Sequence, residues 1–270
     1  MITTQPLSPN FGVKLDRKLM LVDLSDADVE ALKLNIARAG VLVARDQVMT
    51  ADAQAQFAAR LGELFPSAKP NQTTPEGLIR IKADERSKGA PGTTWHSDVS
   101  SDARPPSISM LRMEVVPPVG GDTLFMDMRQ IFASFSPSLQ SLLKGLTARH
   151  DPIGHYLYLS GQKALHELAS AHHPIVRKIP ETGDQALYVN EGFTRGIDGL
   201  PQAEQDMLLN FLLKTIRENV IAQLRVKWQP DTVVFWDNRI VQHHAVFDYF
   251  PHKRLGYRAT VRGEVPVAAA

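Results

Sequence analysis

Trp95-His96-Ser97-Asp98, read together with Trp236-Asp237-Asn238-Arg239-Ile240-Val241-Gln242-His243, is the part of this sequence that decides the fold. On an extended backbone, side chains alternate between faces, so His96 and Asp98 share one face and Ser97 takes the other. An imidazole and a carboxylate on one face can bind a single ion, but a lone His-x-Asp triplet is common by chance. A distant histidine on a second predicted strand gives it weight. Two histidines and one carboxylate on one side of a metal leave three positions open, the arrangement that non-haem Fe(II) oxygenases need.

Outward from these residues, Leu78 to Ile81, Ser107 to Val116 and Asp122 to Met126 carry strand-like alternation or apolar runs between Pro, Gly and Asp clusters. Gln223 to Trp228, Thr232 to Trp236, His243 to Phe247 and Leu255 to Gly263 bring the strand pattern back in the last third. Ser25 caps an expected helix with apolar positions Val29, Leu32, Leu34 and Ile36, closed by Gly40, and Val41-Leu42-Val43 reads as a short buried strand. A second helix is expected from a Thr50 cap to Leu64, and a third from Ser136-Pro137 to near Leu146. Leu200 to Asn219 places Met207, Leu208, Phe211, Leu212 and Ile216 at helical spacing. Asp151 to Ala171, rich in Tyr, His, Gly and Ser, is a candidate lid. Strands at both ends with helices between them predict one mainly β core with flanking helices, a single domain over residues 1–270.

The chain has 270 residues, and its 30 basic and 29 acidic side chains give a net charge of +1. It therefore lacks the broad electrostatic footprint expected of a protein bound to nucleic acid or an anionic membrane, and a small-molecule partner is expected. Cysteine is absent, which excludes disulfides, thiolate zinc sites, iron–sulfur clusters and cysteine nucleophiles. Metal chemistry must then use the nine histidines with carboxylates. Met1 to Val13 lacks the pattern of a signal peptide, and no stretch approaches the roughly 20 apolar residues of a membrane span, so a cytoplasmic protein is expected.

His96-x-Asp98, Gly120-Gly121-Asp122-Thr123, Asn190-Glu191-Gly192-Phe193-Thr194, Trp236-Asp237-Asn238-Arg239-x-x-Gln242-His243 and Arg254-x-x-x-Arg258-Ala259-Thr260 follow one another in this order. Over nearly the whole chain the series resembles the taurine dioxygenase family of Fe(II)- and 2-oxoglutarate-dependent enzymes, which includes the dichlorophenoxyacetate dioxygenases. The resemblance implies a double-stranded β-helix, or jelly roll, with helices packed outside it. It implies His96, Asp98 and His243 as iron ligands; the spacing from Trp236 selects His243 over His244, because neighbours on a strand face opposite ways. It implies that Arg254 grips the distal carboxylate of 2-oxoglutarate with its planar fork and that Thr123 adds a hydroxyl hydrogen bond. Arg258 would hold the acidic group of the primary substrate, and Phe193 would form a wall of its pocket. Asp237 and Arg239 are expected as a structural ion pair, and the family's habit of forming dimers or tetramers implies a homo-oligomer.

The implied reaction hydroxylates a small anionic substrate, a sulfonate or carboxylate, while 2-oxoglutarate and O₂ yield succinate and CO₂. Hydroxylation beside a heteroatom would lead on to C–S, C–O or C–N cleavage. Related iron halogenases carry a small residue where this chain has Asp98, which favours hydroxylation over halogenation. Desaturation on the same ligands is the alternative. A zinc hydrolase would leave Thr123 and Arg254 without a role and has no evident general base; a non-catalytic jelly-roll binding protein is the third class. Where taurine dioxygenases offer histidine, tyrosine and asparagine to taurine, this chain has Ser67, Pro70 and Gly92. A bulkier or less polar acid than taurine is therefore expected.

Overall fold

The computed structural model describes residues 2–16, 18–65, 74–153, 163–168 and 170–270. Its large sheet runs in the order Thr4–Pro6 (β1), Val13–Leu15 (β2), Val41–Ala44 (β3), Thr232–Asp237 (β13), Pro106–Val115 (β5), Arg254–Arg262 (β15) and Leu78–Ala83 (β4). A second sheet, Gln223–Val226 (β12), Thr123–Asp127 (β6) and Val241–Ala245 (β14), shares a core with its inner face. Thr194–Ile197 (β11), Thr147–His150 (β7) and Ala171–Pro174 (β8) form a third, and Gln185–Leu187 (β10), Val176–Lys178 (β9) and Val267–Ala268 (β16) a fourth. The pairings are antiparallel except that of β2 with β3. This is the expected mainly β architecture, a double-stranded β-helix with its helices outside.

Strand β13 shows why two layers form. Val233 and Phe235 face outward onto Leu32 and Ile36 of helix α1 (Asp26–Ala39) and Phe57 and Leu61 of helix α2 (Ala51–Leu61). Val234 and Trp236 face inward, against Phe125, Leu224 and Val241 from the smaller sheet. Alternation with period two thus feeds two cores from one strand. Each fully buried side chain of this size contributes about 1.5–3 kcal/mol, and Phe235→Ala would cost about 3–5 kcal/mol through the void it leaves.

The helix ends follow local chemistry. Ser25 Oγ accepts from the Asp28 N–H and Thr50 Oγ1 from the Ala53 N–H. Helix α2 stops at Leu61, short of the expected Leu64: Gly62 has φ +151°, and a Cβ there would meet Val261 Cγ1 at 2.8 Å. Leu64 instead bridges to Val261 of β15. After α3 (Met128–Ala133), helix α4 (Pro137–Lys144) ends before Leu146, and the chain enters β7. In α5 (Gln202–Glu218), Leu208, Leu212 and Ile216 are buried, but Met207 and Phe211 are 70% and 47% exposed, so the apolar stripe is narrower than its spacing predicts.

The middle of the chain also departs from expectation. The short strands β7 to β11 lie between the last two expected helices, where no strand is expected, and strands of three or four residues leave too little periodicity to detect. Ala171, the expected end of the lid, opens β8, where His150 pairs with it. Most of that lid segment, with His155 and Tyr156, lies outside the described residues. Among the described residues no helix is long and apolar enough to cross a membrane.

Candidate metal centre and anion pocket

Strand β14 lays His243 beside the loop that carries His96. The His243 N–H donates to the His96 carbonyl at 2.9 Å, and the His96 N–H donates back at 3.2 Å. That backbone bridge sets the two rings 4.1 Å apart between centroids. Donor atoms of His96, Asp98 and His243 all lie within 4.8 Å of one another, with His243 Nε2 3.8 Å from Asp98 Oδ1. His96 Nδ1 lies 2.8 Å from the Thr94 carbonyl, so it carries the proton and leaves Nε2 with a free lone pair. Trp236 packs on His243 with centroids 4.8 Å apart. His244 points the other way, onto Trp95.

The protonation states suit a metal. Burial lowers both imidazole pKa values, that of His243 further through the nearby His96, although Asp98 pulls each upward. Burial alone would raise Asp98; the Arg258 guanidinium, both histidines and the Ser109 hydroxyl outweigh it and hold the carboxyl well below its usual range. Two neutral imidazoles and one carboxylate are the donor set that suits divalent iron and leaves open positions.

A cavity of about 470 Å³ opens over the three ligands, and Thr123, Arg254, Arg258 and Phe193 line it too. All seven side chains singled out in the sequence therefore meet in one place. Arg254 and Arg258 lie four residues apart on β15 and project from the same face. Arg254 is only 6% exposed. Its guanidinium carbon sits 5.7 Å from the Trp228 ring centroid and 6.0 Å from that of Tyr249. Among the described residues no carboxylate pairs with it, and its Nε has no partner. Burial lowers its pKa against the opposing pull of Tyr249. Thr123 Oγ1 accepts from the Trp228 indole N–H at 3.0 Å, so its own proton is directed elsewhere. A buried cation with unspent donors beside a hydroxyl is a ready site for a carboxylate.

Arg258 differs: its Nη1 donates to Asp98 Oδ1 at 2.8 Å, a contact its sequence position did not suggest. Phe193 is buried, its N–H held by Asn190 Oδ1 at 2.8 Å, and Asn190 Nδ2 reaches Ser100 Oγ at 2.9 Å. Gly92 has φ +81°, and a Cβ there would meet His96 Cε1 at 3.1 Å, so a side chain at this position would be strained and would press on His96. Ser67 and Pro70 lie outside the described residues. Asp237 and Arg239 pair at 2.8 Å, and Glu181 adds a second carboxylate to Arg239 at 2.9 Å. Sequence reasoning missed Trp228, Tyr249, Ser109 and Asn238 as neighbours of the site. Only the place of Asn238 in the Trp236-to-His243 stretch could have pointed to one of them.

Comparisons with known proteins agree with this geometry. At 34% identity, 98% of this chain aligns with 68% of an alpha-ketoglutarate-dependent sulfonate dioxygenase of Saccharomyces cerevisiae. At 30% identity, 98% of it aligns with 91% of an alpha-ketoglutarate-dependent sulfate ester dioxygenase of Pseudomonas putida. The crystal structure of a putative alpha-ketoglutarate-dependent taurine dioxygenase from Burkholderia xenovorans superposes with a TM-score of 0.86 at 30% identity, covering 99% of this chain and 95% of that one. The profile of the taurine catabolism dioxygenase TauD, TfdA family matches residues 3–260, a span that includes His96, Asp98 and His243, and the chain belongs to that family.

Proposed function

We propose that His96, Asp98 and His243 hold Fe(II), that Arg254 and Thr123 hold 2-oxoglutarate, and that the enzyme hydroxylates a small organic anion drawn in by Arg258. As a member of its family, the protein is an oxidoreductase that uses Fe(II), 2-oxoglutarate and O₂. The observation that carries the site assignment is the coincidence, in one cavity, of the three-ligand cluster and a buried arginine that has no carboxylate partner among the described residues. Bound there, Fe(II) with 2-oxoglutarate and O₂ supplies oxidation of a substrate C–H bond, the co-substrate leaving as succinate and CO₂.

The chain's own residues bind, orient and exclude water. Arg254 and Thr123 anchor the distal carboxylate of the co-substrate by a charged fork and a hydroxyl. Arg258 offers positive charge beside the metal ligands, where it can orient an acidic group of the primary substrate. Ile79, Ile81, Ala83 and Phe193 supply apolar wall for the substrate body and displace water as it enters. With glycine at position 92 offering no polar side chain, that wall favours a sulfonate, sulfate ester or carboxylate with a larger apolar body than taurine. If the carbon oxidised carries a heteroatom, C–S, C–O or C–N cleavage follows. Residues 1–270 act as one catalytic unit, since the ligands come from both halves of the chain, and a cytoplasmic homo-oligomer of two or four copies completes the reading.

The test is succinate formation with Fe(II), 2-oxoglutarate and O₂ across a panel of alkyl and aryl sulfonates, sulfate esters and carboxylates. One acid class should couple succinate release to its own consumption. No acid raising succinate above background would overturn the reading. Light scattering on the purified protein and cell fractionation test the assembly and location.

A further inference from the structure

Asp98 is gripped by residues outside the site described so far. Asn238, 1% exposed, sits in the turn between β13 and β14, and its side-chain oxygen accepts from the Trp236 indole N–H at 3.0 Å and from the Asp98 backbone N–H at 3.1 Å. Both partners can only donate, so the orientation of the amide is settled. Its nitrogen end therefore donates to the Ser107 carbonyl at 3.1 Å and to Ser109 Oγ at 2.9 Å. A hydroxyl that accepts from Asn238 must spend its single proton elsewhere. Asp98 Oδ2 lies 2.7 Å from Ser109 Oγ, whereas Thr260 Oγ1, at 3.4 Å, can itself be the donor. Asp98 Oδ2 thus accepts from Ser109, while Oδ1, which accepts from Arg258 Nη1 at 2.8 Å, is the oxygen that faces His243 Nε2 at 3.8 Å.

We propose that Ser109 and Asn238 are positioning residues that keep Asp98 a one-oxygen ligand. The proposal rests on the reading of His96, Asp98 and His243 as the metal ligands. Its consequence is a count: three protein ligand atoms leave three positions on a six-coordinate metal, whereas a carboxylate bound through both oxygens leaves two. Ser109 and Asn238 thereby protect the position the co-substrate needs. Ser109, Asn238, Trp236 and Asp98 are all less than 5% exposed, so the intact relay is shielded from bulk water. The relay also joins the two sequence stretches that define the site. Trp236 supports His243 with its ring and Asp98 through its indole N–H and Asn238.

The test compares wild type with Ser109→Ala, Asn238→Asp and the hydroxyl-preserving Ser109→Thr. Asn238→Asp keeps the shape at 238 but replaces the donor to Ser109 by an acceptor, which draws the serine proton away from Asp98. Fe(II) affinity is measured first. The Fe(II)-loaded proteins are then titrated anaerobically with 2-oxoglutarate while the metal-to-ligand charge-transfer band is followed. Ser109→Ala and Asn238→Asp should still bind Fe(II) but show about 10-fold or more weaker 2-oxoglutarate binding and a displaced band. Ser109→Thr should match wild type. A purely structural role would lower the melting temperature and leave the band and the co-substrate affinity of the folded protein unchanged, and that result overturns the proposal. Should Ser109→Ala misfold, Asn238→Asp carries the same test. A wild type that binds Fe(II) and gives no band overturns the metal-ligand reading itself.

Discussion

Arg254 and Arg258 project from one face of one strand into one cavity, yet their surroundings differ. Arg258 is in direct contact with Asp98, so part of its hydrogen-bonding capacity is met inside the protein. Arg254 lies between two aromatic rings with no carboxylate partner among the described residues. Desolvating a charge is costly unless something compensates it. The difference teaches that the Arg254 end of the cavity is completed only by an anion from outside. The Arg258 end already has its own anion and can share the cation with a second one.

Breaking the Arg254 end should have the largest effect. Arg254→Gln should weaken 2-oxoglutarate binding by about 2–5 kcal/mol, about 30-fold or more, since it removes one partner of a buried charge pair. Fe(II) affinity should stay unchanged; calorimetric titration of the metal-free protein with Fe(II), and of the metal-loaded protein with 2-oxoglutarate, checks the two in turn. Arg258→Gln should act in two opposite directions. KM for the coupled primary substrate should rise roughly tenfold, while Fe(II) should bind several-fold more tightly because a positive charge 2.8 Å from Asp98 Oδ1 is gone. A variant that only weakens 2-oxoglutarate would erase the distinction between the two arginines. Thr123→Val should cost about 1 kcal/mol, near fivefold in 2-oxoglutarate affinity, by deleting one neutral donor.

His150 shows what Arg254 cannot do. It is fully buried, with Nδ1 2.9 Å from Ser100 Oγ. Burial, with the nearby His173 adding to it, pushes its pKa from 6.5 down to about 3, so it stays neutral where an arginine would remain charged. The unfolded chain takes up this proton near pH 6.5 and the folded protein only near 3. Between those values the unfolded state holds more protons, so this contribution is fully present above about pH 6.5 and is lost as the pH falls through the window. Thermal melts from pH 7 to pH 5 should show a falling midpoint, with a shallower fall in His150→Gln. Equal slopes would mean that His150 does not titrate on unfolding.

The readable parts of this sequence were those whose signal is local. Ser25, Thr50 and Ser136 cap the helices where side-chain chemistry places caps, and alternation along Thr232–Asp237 marks a strand with two apolar faces. The stop at Gly62 was missed because Val261, from the opposite end of the chain, sets the limit there. The exposure of Met207 and Phe211 was missed because helical spacing alone leaves the width of the packed face undefined.

At the site, donor chemistry and strand alternation pointed to His96, Asp98 and a distant histidine, and the ordered motifs that resemble the family singled out His243, Thr123, Phe193, Arg254 and Arg258. Only tertiary structure decided their partners. The backbone bridge between His96 and His243, the Trp228 wall of Arg254, the contact of Arg258 with Asp98 and the link from Asn238 to Ser109 all join residues distant in sequence. Such contacts leave no periodic trace, since each depends on where two sheets bring their strands together and on which buried donors find an acceptor there.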